Sequence, residues 1–289
     1  MHTLVRFLAV LVVISLVACR STPTRPEAVR IPDLGNYHRP IDTKSAEAQG
    51  WFDQGLTLHY AFNHEEAIRS FRRAATIDPD CAMALWGMAL AAGPNINNPE
   101  MDEAASKAAY TVVQRAVQLA QDHEPGVERD LVFALAKRYD WPPPEDRSVL
   151  DHAYAEAMRG VWERYPDDPD VGTLFGESLM DLRPWDLWTA EGEPQPGTEE
   201  VVAVFETVLG FRPDHPGANH YYIHTMEASS RPEKAIASAD RLRTLVPGAG
   251  HLVHMPAHIS IRLGRYEDAV RDNQRAIEAD LRYVALVGN

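Results

Sequence analysis

Two histidine pairs with helical spacing, His220/His224 and His254/His258, are offset from each other by 34 residues. That offset is the length of one helix-turn-helix unit, and residues four apart share a helical face. A chain that repeats a hairpin at this period has few options, because each hairpin buries its apolar face only by stacking on the next. His215 and His251 flank the pairs, so half of the 12 histidines of the chain fall between positions 215 and 258.

The repeat is visible elsewhere. From Ser45 to Asp80 the sequence SAEAQGWFDQGLTLHYAFNHEEAIRSFRRAATIDPD carries apolar residues at Trp51, Phe52, Leu56, Ala67, Ile68, Phe71, Ala74 and Ile77. These spacings predict two amphipathic helices broken at Phe62-Asn63, with Pro79 ending the second. Pro216 to Ala249 and Gly250 to Tyr283 repeat the pattern in phase. TEEVVAVFETVLGFRPD is another second helix, separated from its first helix PDVGTLFGESLMDL by an inserted loop from Arg183 to Gly197. Weaker units run through Cys81–Ala92 with Asp102–Ala120, and Pro125–Tyr139 with Arg147–Tyr165. No strand alternation interrupts them. The predicted fold is all-α, a solenoid of helical hairpins over residues 45–289. Its last residues, VALVGN, follow a second helix directly, so a truncated array or a partner is expected at that end.

The positions Trp51, Gly55, Ala67, Phe71, Ala74 and Pro79 resemble the tetratricopeptide repeat (TPR). The resemblance implies a right-handed superhelix in which the first helix of each hairpin lines a concave groove. It implies that repeat positions two, five, nine, twelve and thirteen face that groove. His220 and His224 are then fifth and ninth in their repeat, while His251, His254 and His258 are second, fifth and ninth in the next. His59 is twelfth in the first repeat. Aligning Gly176 with Gly55 makes Glu177 ninth and Asp181 thirteenth, so Glu177, His224 and His258 are expected in one row. The segments FNHEEAIRSFRRAATIDPDCAMALWGMALAAGPNIN, HYYIH and GAGHLVHMPAHISIRLGRYEDAV are similar to exported bacterial TPR proteins of no established reaction.

Packed helices lie about 8–10 Å apart, a gap that imidazoles from both sides span. His220, His224, His254, His258 and Glu177 are therefore the expected metal ligands, suited to Zn, Cu or Fe. Pro256 is expected to kink its helix and turn His254 toward His258. His251, Asp181, Asp186, Trp185, Trp188, His59, Asn95 and Asn97 complete the expected ligand-binding groove. A polar groove without metal and plain structural hydrogen bonding are the competing readings of the histidines. Two functions follow: a module binding a peptide, protein or small ligand, or a metal-dependent hydrolase or oxidoreductase with Glu177 as general base.

The N-terminus gives an address. Arg6 precedes an apolar stretch from Phe7 to Val17, too short to span a membrane, as in a secretory signal. Leu16-Val17-Ala18-Cys19 resembles the bacterial lipoprotein box, which implies a signal peptide over 1–18 and lipid on Cys19. Arg20 in place of aspartate favours sorting to the outer membrane over the inner. The expected location is the cell envelope, facing the periplasm or on the cell surface, with 19–44 as a flexible tether. With 28 Lys+Arg against 42 Asp+Glu, a net charge of −14 repels phosphate backbones and excludes nucleic acid as a partner. No phosphate loop, nucleophile elbow, HExxH or CxxC motif is present.

Overall fold

The structure, a computed structural model, describes residues 27–288. The signal segment and Cys19 lie outside the described residues. Helix α1 (Ala46–Tyr60) and α2 (His64–Ile77) form the first hairpin, followed by α3 (Ala82–Ala91) with α4 (Glu103–Ala120) and α5 (Val127–Ala136) with α6 (Ser148–Arg164). Then come α7 (Pro169–Asp181) with α8 (Thr198–Phe211), and α9 (Pro216–Met226) with α10 (Ile236–Leu245), the latter preceded by a 3-10 turn at Pro232–Ala235. The last unit is α11 (Gly250–His254), α12 (Pro256–Arg262) and α13 (Tyr266–Val287). No named strand occurs among the described residues, and none of their helices is long and apolar enough to cross a membrane. Each helix packs on its neighbours in the chain, which is the α-solenoid that the repeats predict.

The helix starts and the hairpin register follow from particular residues. Ser45, Asp102 and Asp168 cap α1, α4 and α7 by accepting from the amides of Ala48, Ala105 and Val171. Phe71 on α2 is fully buried between α1 and α3 because Gly55 and Gly87 leave room for its ring: a Cβ there would lie 2.8 and 2.5 Å from it. Gly176 stands in the same relation to Phe205, at 2.6 Å, so the repeat register continues across the inserted loop.

The array curls until its first hairpin meets its last two. The Tyr60 carbonyl accepts a 2.7 Å hydrogen bond from His220 on α9, and the Tyr60 ring lies where a Cβ at Gly217 would be, 2.4 Å away. Tyr283 on α13 donates to Glu66 on α2 at 2.9 Å. Residues 160 and 217 positions apart are thereby joined, and the solenoid closes into a ring.

The segment expected as a flexible tether is, in its described part, a strap on this ring. Ile31, Leu34 and Ile41 are buried, and Arg39 is 5% exposed. Arg39 pairs with Asp168 and Asp170 at 2.8 Å each, and Tyr37 and Tyr60 donate to Asp170 at 2.7 and 2.6 Å. The Asp33 carbonyl accepts from Gly248 at 2.7 Å, tying the strap to the α10–α11 turn. Regularly placed apolar residues within a polar stretch are the cause; burying them outweighs the ordering of a segment without helix or strand.

Candidate metal centre

Two helices and one helix break bring the histidines together. His220 and His224 sit one turn apart on α9, and Glu227 is the residue that ends it. Pro256 has no amide to continue the helix, so the chain breaks at Met255, leaving His251 and His254 on α11 and His258 on α12. The break turns His254 against His258 as expected, with their Nε2 atoms 2.9 Å apart. His220 and His251 also meet Nε2 to Nε2, at 3.0 Å, a contact that a proton on His251 Nε2 makes an ordinary hydrogen bond to His220.

The other nitrogen of each ring fixes where its proton is. His220 Nδ1 donates to the Tyr60 carbonyl at 2.7 Å. His224 and His258 Nδ1 donate to the two oxygens of Glu227, at 2.7 and 2.6 Å. His254 Nδ1 lies 2.8 Å from Asn273 Oδ1, and Asn273 is oriented by its own Nδ2, which donates to the Ala269 carbonyl at 2.8 Å. A neutral imidazole has one N–H, so Nε2 is a bare acceptor on His220, His224, His254 and His258. His224 Nε2 is buried with no hydrogen-bond partner. Between His254 and His258, two lone pairs face each other and no proton lies between them unless one ring is doubly protonated or a cation is bound. This is the arrangement in which metal-binding histidines are held: Nδ1–H on a carboxylate or carbonyl, Nε2 toward the ion. Two nitrogens on a tetrahedral ion at about 2.0–2.1 Å lie about 3.3 Å apart, close to the separations seen here.

His220, His224 and His251 form one group whose ligand atoms all lie within 4.8 Å of one another, and His224, Glu227 and His258 form a second. Electrostatics suit a cation. Burial, and then the neighbouring imidazoles, hold His220 well below the ordinary histidine range and His251 down at about 3. Burial also lowers His224, against the opposing pull of Glu227. These rings are neutral at pH 7, the state that ligates a metal. Burial disfavours the charged form of Glu227, but the hydrogen bonds from His224 and His258 outweigh it and bring its carboxyl to about 2.

Aromatic rings enclose the cluster. Phe62, in the turn of the first hairpin with φ of 56°, reaches across the ring and stacks on His251 and His224, with centroids 5.2 and 6.1 Å apart, and meets His220 edge-on at 4.5 Å. Trp185 approaches His224 edge-on at 5.3 Å.

Several sequence-derived expectations are corrected. Glu177 and His254 are in neither candidate metal group: Glu177 lies beside Asp181, 3.8 Å from buried Arg138, which also pairs with Asp181, and His254 meets His258 alone, Nε2 to Nε2. Burial raises the carboxyls of both Glu177 and Asp181, against the opposing charge of Arg138. A residue so engaged is not the base beside the histidines, and Asp181 is not free in the groove. Asn95 is mostly a turn builder, its side chain accepting from the amides of Asn97 and Asn98. His59 is fully buried, packed against Tyr60 and His64, with both ring nitrogens unpartnered. Asp186 is exposed and paired with Arg183 at 2.8 Å. Trp188 donates to the Thr225 carbonyl at 2.6 Å, fastening the inserted loop to α9. His251, expected as a groove residue, is in one of the two candidate metal groups.

Sequence reasoning missed Glu227, Asn273 and Phe62. Glu227 had a signal: it lies three residues after His224 and seven after His220, on the same helical face. Phe62 had none, because ring closure brings it to the site.

A family model described as tetratricopeptide repeat matches residues 48–81. No curated protein matches the sequence. Among solved structures, the chain is similar to MamA at 9% identity and a TM-score of 0.39, over 84% of this chain and 97% of that one. It is also similar to YrrB, described as a TPR protein with an unusual peptide-binding site, at 16% identity and a TM-score of 0.34, over 72% of this chain and 90% of that one. One tetratricopeptide repeat is thus matched, at residues 48–81, and further helical hairpins stack after it.

Proposed function

We propose that this is a binding protein of the cell envelope that holds a Zn, Cu or Fe ion in its histidine cluster and presents it toward a peptide or protein partner. The TPR fold supports the binding role at the coarse level. The observation that carries the metal reading is the His254/His258 pair, two bare Nε2 atoms 2.9 Å apart whose Nδ1 protons are committed to Asn273 and Glu227. His220, His224 and His251 supply further neutral nitrogens, and Glu227 orients His224 and His258. The signal and lipoprotein box imply attachment through lipid on Cys19, a reading tested by mass spectrometry of the mature N-terminus and by fractionation of Cys19→Ala.

The metal reading is tested by elemental analysis of protein purified without a histidine tag, beside His220→Ala/His224→Ala and His254→Ala/His258→Ala. Stoichiometric metal in the parent protein and its loss from both variants is the expected result. Sub-stoichiometric metal in the parent, or equal metal in all three, overturns it.

A further inference from the structure

Beside the histidines, a separate cavity of about 210 Å³ opens between the inserted loop and the last two hairpins. Its walls are apolar and aromatic: Ile96, Met180, Leu187, Trp185 and Trp188, with His224 and Glu227 at the inner end and Arg183 and Arg262 also lining it. We infer that this cavity binds a small organic carboxylate with a flat apolar body, the body against Trp185 and Trp188 and the carboxylate toward Arg262. The inference goes beyond the metal reading and stands for the metal-free protein as well.

Four observations carry it. Trp185 is 58% exposed and held at φ of 59°, a left-handed conformation that a bulky residue rarely adopts. Its neighbour Trp188 is pinned by its indole N–H to the Thr225 carbonyl, so it stays fixed as a wall of the cavity. Arg262 makes no ion pair or side-chain hydrogen bond among the described residues, whereas Arg183 is paired with Asp186. Four residues after His258, Arg262 lies one turn further along the same face of α12. Glu227, the acidic group at the inner end, has both oxygens occupied by imidazole N–H groups, which leaves Arg262 as the unpaired charge lining the cavity. In size the cavity exceeds the roughly 150 Å³ that holds a benzene ring, enough for a fused bicyclic ring and too small for a folded peptide.

Calorimetric titration with 2-naphthoate and its neutral analogue 2-naphthamide tests this, on protein stripped with chelator and on protein loaded with zinc. The expected result is that naphthoate binds both forms at least tenfold tighter than naphthamide. Arg262→Gln weakens naphthoate at least tenfold and leaves naphthamide unchanged, Arg262→Lys restores part of the loss, and Trp185→Ala weakens both probes. Equal affinity for the two probes, wild-type affinity in either Arg262→Gln or Trp185→Ala, or absence of binding at millimolar probe overturns the inference. Both side chains are exposed, so the variants keep the fold, and the comparison of probes on the parent protein decides the charge requirement without any variant. Naphthoate binding to stripped protein that takes up no zinc would sink the metal reading alone.

Discussion

Two buried polar clusters built around histidine sit at opposite ends of α9, and they are wired differently. At the N-terminal end, His215 Nδ1 accepts from the Ala218 amide at 3.0 Å, so its Nε2 carries the proton and donates to Asp170 at 3.2 Å. Asp170 also receives Tyr37, Tyr60 and Arg39, and every bond pairs a donor with an acceptor. Toward the C-terminal end, the protons of His220 and His224, and of His254 and His258 facing them from α11 and α12, all point outward and the lone pairs point inward. In the first cluster the carboxylate is satisfied by protein donors alone, with Arg39 Nε the one buried guanidinium nitrogen left unpartnered. The second has the arrangement that a cation would complete. Burial and histidine content do not separate the two; the direction of each proton does.

The comparison is tested most severely at Asp170. Asp170→Ala leaves Arg39 buried beside a single remaining carboxylate, and a loss of about 3–5 kcal/mol is expected in chemical denaturation. Burial raises the Asp170 carboxyl, but the charge of Arg39 and the bond from His215 prevail and hold it far below the ordinary carboxylate range. Its folded pKa therefore lies below the unfolded value. The stabilisation is complete above about pH 4 and disappears as pH falls below it, so Asp170→Asn flattens the acid limb of a stability–pH curve. The histidine cluster is expected to respond to metal instead: at an ion concentration 100 times Kd, about 2.7 kcal/mol of added stability is expected in the parent protein, and none in His254→Ala/His258→Ala. Glu227→Gln, which keeps the shape and removes the charge that orients His224 and His258, is expected to weaken metal about 10–100-fold as read by competition with a chelator dye. Tyr283→Phe removes the hydrogen bond to Glu66 that joins α13 to α2, and about 0.5–1.5 kcal/mol is expected from thermal or denaturant unfolding.

Much of the fold was legible because it is local. Helix periodicity, the breaks at Asn63 and Pro256, and the pairing of Gly55 with Phe71 and of Gly176 with Phe205 are set by residues close in sequence or one repeat apart. The histidines were legible for the same reason. What escaped depends on distant parts of the chain. The row expected to run from Glu177 through His224 fails because Arg138, on the neighbouring hairpin, is fully buried and takes Glu177 and Asp181 as counter-charges. The strap at 27–44 read as solvated because its polar residues outnumber Ile31, Leu34 and Ile41, yet those three and Arg39 find partners on helices far along the chain. Phe62 and the Tyr60 carbonyl reach the site only because the ends of the array meet.

That meeting changes how the molecule should unfold. An open array of repeats melts piecewise, each hairpin held only by its neighbours, so the ends fray first. Here the end hairpins are each other's neighbours, and the contact between Tyr60 and His220 is lost only if the whole circuit opens. The chain should therefore lose structure in one cooperative step, with the terminal hairpins as protected from hydrogen exchange as the middle ones, and an ion bound across that seam would act on every repeat at once.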